Sequence, residues 1–159
     1  MSYYVRVFSA AEDYPSLQAI CDELLDAGFE FATSPGKHEP EFGEVDWKNI
    51  IFQYSEEHKT IELDRNTPEH KDGMFKEEQK EFLDALKSLP YSKNQKKAVD
   101  IMKNLQQIYA FEVDEDITEA GWDFLECMLD FLCDATDGYV QVDGEGIYDK
   151  DGKIMIEME

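Results

Sequence analysis

The chain has 159 residues, with 37 acidic against 15 basic side chains, a formal net charge of −22 and an isoelectric point near 4.3. Such a surface repels nucleic-acid phosphates and anionic membranes, so binding through a basic patch is excluded and encounter with basic partners is favoured. The 42% hydrophobic and 13% aromatic content excludes a disordered chain, because it offers enough apolar surface to offset the entropy of ordering.

No run approaches the ~18–20 apolar residues of a membrane span. The opening Met-Ser-Tyr-Tyr-Val carries no secretory pattern, so a single domain over 1–159 in the cytoplasm is the expectation. Charge is spread unevenly: residues 1–70 hold 15 acids and 5 bases, residues 71–109 hold 6 and 8, and residues 110–159 hold 16 and 2.

In chain order, Tyr3–Phe8 is a run of strand formers. Glu12-Asp13-Tyr14-Pro15-Ser16 then opens a helix over Ser16–Ala27, with Leu17, Ile20, Cys21, Leu24 and Leu25 inward and Gly28 as its stop. Asp22, Glu23 and Asp26 line its polar face, and no basic residue occurs from Val7 to Gly36. Residues 32–46, with Pro35, Gly36, Pro40 and Gly43, read as a loop. Asn49–Tyr54 and Lys59–Leu63 read as a hairpin whose second strand keeps one wet face through Thr60, Glu62 and Asp64.

The middle of the chain is a helical pair. Met74–Leu89 turns Phe75, Phe82, Leu83, Leu86 and Leu89 to one side and ends at Pro90; Ser92–Gln95 is a capping box opening a second helix with Val99, Met102, Leu105 and Ile108 inward. The lysines fall on the outer faces of this pair.

Ile108–Val113 is again strand-like, and Thr118–Thr136 is the longest helical pattern, closed by Gly138. Trp122, Leu125, Leu129 and Leu132 recur at helical spacing. Asp123, Glu126, Asp130, Asp134 and Asp137 form a second stripe, in a stretch with no Lys or Arg between Lys103 and Lys150. Like charges at these spacings each cost a few tenths of a kcal/mol, and acids near the C-terminal end oppose the helix dipole. The stripe is a poor choice for stability alone. Tyr139–Val142 and Lys153–Glu157 are strands, with Asp149–Gly152 a hairpin turn and Asp143–Gly146 a kink or bulge.

The fold class expected is α+β: two βαββ units (1–70 and 108–159) joined by a helical pair over 71–108. Their strands form a mostly antiparallel sheet of about six strands with helices packed on it, the two acidic helices sharing one face about a pseudo-dyad. This element order is similar to that of duplicated βαββ modules in families related to gyrase inhibitors and small-ligand-binding regulators. None of their motifs is matched, so no residue role follows.

Chemical motifs are few. Cys21, Cys127 and Cys133 lie among apolar and acidic neighbours, the pattern of reduced, buried thiols. The Asp149–Ile154 turn lacks both end ligands of a calcium loop, and His38, His58 and His70 sit in three separate loops as surface histidines. No phosphate loop, dinucleotide fingerprint or nucleophile elbow occurs, so no catalytic residue, cofactor or metal is assigned and the chain is read as a non-enzyme.

The functional expectation is a small bacterial-type binding protein. Its acidic helical face, made of Asp22, Glu23, Asp26, Asp123, Glu126, Asp130 and Asp134, would engage a basic, nucleic-acid-handling protein as an inhibitor or immunity-type partner. The alternative is a small-ligand module with a pocket between sheet and helices, lined by Tyr3, Phe52, Tyr54, Trp122, Tyr139 or Tyr148.

Overall fold

The structure is a computed structural model that describes residues 2–71 and 73–158. Among them the elements run β1 (Ser2–Ser9), α1 (Leu17–Asp26), β2 (Ala32–Ser34), a 3-10 turn (Pro40–Gly43), β3 (Asn49–Gln53) and β4 (Ile61–Asn66). They continue with α2 (Phe75–Lys87), α3 (Lys93–Lys103), β5 (Gln107–Asp114), α4 (Glu119–Thr136), β6 (Tyr139–Val142), β7 (Gly146–Tyr148) and β8 (Ile154–Glu157). One antiparallel sheet of eight strands, in the order β2-β3-β4-β5-β1-β6-β7-β8, joins both halves of the chain.

The α+β class holds, and the strand number is corrected from about six to eight. Both added strands are three residues long. β2 lies just before Pro35-Gly36 and is held only by pairing with β3, so tertiary contact overrides a local loop signal. β7 arises because Asp143–Glu145 turns the chain fully instead of bulging it; Glu145 N donates to Val142 O at 3.0 Å. Gly146 then approaches β8 so closely (φ +138) that a Cβ would sit 2.0 Å from Ile156 O.

The two units share one sheet but not a simple dyad. Outward from the central pair β1/β5, one side reads β6-β7-β8 and the other β4-β3-β2. α1 carries the chain to the far edge, and β3 and β4 bring it back to β5; α4 instead crosses over β1 and delivers β6 directly beside it.

Strand alternation sends side chains to two layers. On one face Val5, Val7, Phe111 and Val113 pack against Leu17, Ile20 and Leu24 of α1 and Phe124, Met128 and Leu132 of α4. Phe124 is the hub: Phe29, Phe31 and Phe52 meet its ring at 5.4, 5.4 and 5.7 Å in edge-on geometry, a preferred aromatic arrangement. On the other face Phe8, Ile108, Ile147 and Met155 are covered by Phe75 and Leu86 of α2 and Ala98, Val99 and Met102 of α3. Two covered faces explain why β5 is buried at nearly every position.

One inward assignment and two local details change. Leu25, in the last turn of α1, is 44% exposed, because Cys21 and Leu24 already fill the contact with the sheet. Ile108 belongs to β5 and not to α3. The capping box is half formed: Ser92 Oγ accepts from Gln95 N, but the Gln95 amide reaches Leu86 O and ties α3 to α2.

Candidate acidic binding face and groove

α4 stands where it does because both ends are fastened. Thr118 Oγ1 accepts from Gly121 N at 3.1 Å to cap the start. Gly121 is buried against Tyr54, whose ring would lie 2.6 Å from a Cβ there. At the far end the left-handed cap is Asp137 (φ +53) and not Gly138; Asp137 takes a salt bridge from Lys150 at 2.5 Å. α1 is capped in the same manner by Ser16, whose Oγ accepts from Ala19 N.

With both apolar stripes spent on the sheet, the carboxylates are left in solvent. Asp22, Glu23 and Asp26 of α1 and Asp123, Glu126, Asp130 and Asp134 of α4 are all exposed. Among the described residues none of the seven forms an ion pair. The last turn of neither helix carries a basic residue to offset the dipole. The helices touch, and their acids converge on Cys127, whose thiol is pushed up by burial, then by Glu23 and Asp130. Burial pushes Cys21 and Cys133 up to about 11, so both are neutral thiols at pH 7.

Three of the seven acids also border a concave surface. Glu126, Asp130 and Asp134 form one wall of a groove of about 820 Å³ between α4 and the β6–β8 hairpins. Its other wall is Glu145, Asp149 and Asp151, and its floor is apolar: Trp122, Leu129, Val140 and Tyr148. Asp22, Glu23, Asp26 and Asp123 lie outside it. Asp149 shapes its own turn, accepting from Asp151 N and Lys153 N at 2.9 and 3.0 Å. The second wall was legible only as turn residues, since nothing local in Asp-Gly-Glu-Gly or Asp-Lys-Asp-Gly says that these loops curl back toward α4.

The aromatic candidates scatter. Phe52 is buried core, and Tyr54 packs on Phe124. Tyr3 lies 6.4 Å from Trp122, and Tyr139 sits on the opposite face beside Lys97 of α3. Only Trp122 and Tyr148 meet in the groove. A second acidic hollow of about 840 Å³, with Glu12, Asp13, Glu39 and Glu44 on its lining, lies between the start of α1 and the 3-10 turn. The lysines gather on the other side of the molecule: Lys93, Lys96 and Lys97 of α3 flank a hollow beside exposed Tyr91.

Two charged clusters escaped the sequence reading. Arg6 on β1 donates from Nε to Glu78 of α2 at 2.5 Å and from Nη1 to Asp143 and Gln141 at 2.7 and 2.8 Å. Burial raises Glu78 despite Arg6. Burial would also raise Asp143, but hydrogen bonds from Gln141 and Arg6 and the Arg6 charge outweigh it and hold that carboxyl low.

Arg65 is 1% exposed; its Nε donates to Trp47 O at 2.9 Å, its Nη2 pairs with Asp46, and its guanidinium stacks 3.7 Å from the Tyr14 ring centroid. His70 is not a surface histidine. It is buried, with Nδ1 facing Arg65 O at 3.1 Å and Nε2 facing the Asp46 carboxylate at 2.9 and 3.0 Å. Partial burial would raise Asp46, but hydrogen bonds from His70 and Arg65 hold it below the ordinary carboxylate range. Asp46, Arg65 and His70 are up to 24 positions apart, a separation at which no spacing rule operates.

Among the described residues no cluster of three or more His, Cys, Asp or Glu is placed to hold a metal, and no helix is long and apolar enough to cross a membrane. Compared with protein-family models, with curated proteins and with solved structures, the chain matches none.

Proposed function

We propose that this chain is an acidic binding protein that engages a basic protein partner through the α1/α4 face, as an inhibitor or immunity-type protein of a nucleic-acid-handling enzyme. The observation that carries this reading is the set of seven exposed, unpaired carboxylates on two adjacent helices without a basic residue on either. A chain selected for stability alone has no reason to keep them, because each like-charge neighbour and each acid near a helix C-terminus costs free energy. The same field speeds encounter with a basic partner by ~10–1000-fold at low ionic strength and fits a surface that otherwise receives phosphates.

The test is capture of partners on tagged protein at low and high salt, followed by affinity measurements with the triple variant Asp123→Asn, Glu126→Gln, Asp130→Asn. A basic protein held at low salt, shed at high salt and bound at least about tenfold more weakly by the variant supports the reading. Equal affinity for wild type and variant sinks it.

A second reading, a small-ligand module, draws on the groove, because about 820 Å³ with Trp122 and Tyr148 on an apolar floor suits a cationic or aromatic molecule. A thermal-shift screen with amines and aromatic metabolites separates the two. A saturable shift with one such compound, lost in Trp122→Ala, favours the ligand module.

A further inference from the structure

The geometry points to the groove between α4 and the β6–β8 hairpins as the docking site for a basic amphipathic segment of a partner protein, one apolar edge flanked by lysines or arginines. This inference rests on the acidic-face reading and narrows it, moving the contact from the α1/α4 surface to one side of α4.

Chemistry defines the occupant. The floor of Trp122, Leu129, Val140 and Tyr148 rewards burial of apolar side chains, which a merely basic surface does not supply. The walls, Glu126, Asp130 and Asp134 against Glu145, Asp149 and Asp151, place anions on both sides of that floor. A segment lying in the groove therefore needs cations on both flanks of its apolar edge. The one lysine on the lining, Lys150, is already neutralised by Asp137.

Length argues for a chain segment. Glu126 to Asp134 is eight steps along the helix, or about 12 Å, which matches about two turns of a helix or four extended residues. A second copy is disfavoured as occupant: its lysines are carried on α2 and α3 with acids interleaved among them, and each molecule carries −22. Groove recognition of an amphipathic helix by apolar anchors is an established mode, and carboxylate rims set its charge preference.

Trp122 makes the experiment direct, because the other tryptophan, Trp47, is buried and bonded to Pro15 O, away from the groove. The probes are a peptide of about 15 residues with leucine every third or fourth position and lysine elsewhere, and its twin with serine for leucine. Both are titrated at low salt into the full chain while tryptophan emission is followed, with Trp122→Phe to assign the signal.

The inference expects the leucine peptide to bind and shift Trp122 emission, and the serine twin to bind at least about tenfold more weakly. It expects the groove variant Glu126→Gln, Asp130→Asn, Glu145→Gln, Asp151→Asn to lose about tenfold or more, and the α1 variant Asp22→Asn, Glu23→Gln, Asp26→Asn to lose less than about threefold. Equal binding of the two peptides, or equal loss in the two variants, overturns the groove and leaves the broader acidic face standing. Binding of neither peptide also overturns the groove, while partner capture still decides the acidic-face reading on its own.

Discussion

Asp46 is the single residue on which most buried charge depends. It is 60% exposed itself, yet it is the counter-charge for Arg65, which is 1% exposed. Asp46→Asn keeps the shape and strands the guanidinium, so the expected loss in urea unfolding is about 2–3 kcal/mol, below that of a fully buried pair because water still reaches the site. The pH dependence has a definite sign. The folded-state pKa of Asp46 is depressed, so its contribution is present above its unfolded value of about 3.9 and is lost as pH falls through the folded value. Urea midpoints between neutral pH and about pH 3 should therefore fall less steeply in Asp46→Asn than in wild type. Parallel profiles would mean that Asp46 does not carry this linkage. Gly146 is constrained by backbone alone: Gly146→Ala meets Ile156 O and should cost more than Gly144→Ala, where nothing lies within 4 Å. Equal midpoints for the two alanine variants would refute the close β7–β8 approach.

At the scale of the element, α4 sets stability against the proposed binding role. Its apolar side is readable because Leu125, Leu129 and Leu132 repeat at helical spacing, whereas its left-handed C-cap falls on Asp137, one residue before the expected Gly138. Asp134 lies in the last turn, where a cation complements the dipole. Asp134→Lys should raise stability by about 0.5–1 kcal/mol in chemical denaturation and weaken binding of a basic partner or peptide in the same preparation. A variant that is no more stable would remove the argument that the acidic stripe is kept at a cost. The short strands obey a different rule. β2 and β7 have no periodicity to detect, since three residues cannot display one, and both exist only because a neighbouring strand offers its edge.

Across the whole molecule, −22 charges confined to one small chain repel one another. Raising salt from about 0.02 to about 0.5 M should raise the melting temperature through screening, while the same change should weaken capture of a basic partner. A melting temperature indifferent to salt would mean that the local pairs at Arg6 and Arg65 already offset the repulsion.

The sequence by itself determined the α+β class, the four helices, the lysine-rich middle and the acid-only helix faces. Each is written in local periodicity or in composition, which act over a few residues. Only the tertiary structure decided what these elements meet. The order β4-β3-β2 on one side against β6-β7-β8 on the other, the burial of His70 on Asp46, and the second acidic wall of Glu145, Asp149 and Asp151 join residues far apart in the chain. Such pairings are selected by which apolar faces can be buried together, a property of the assembled sheet and not of any stretch within it.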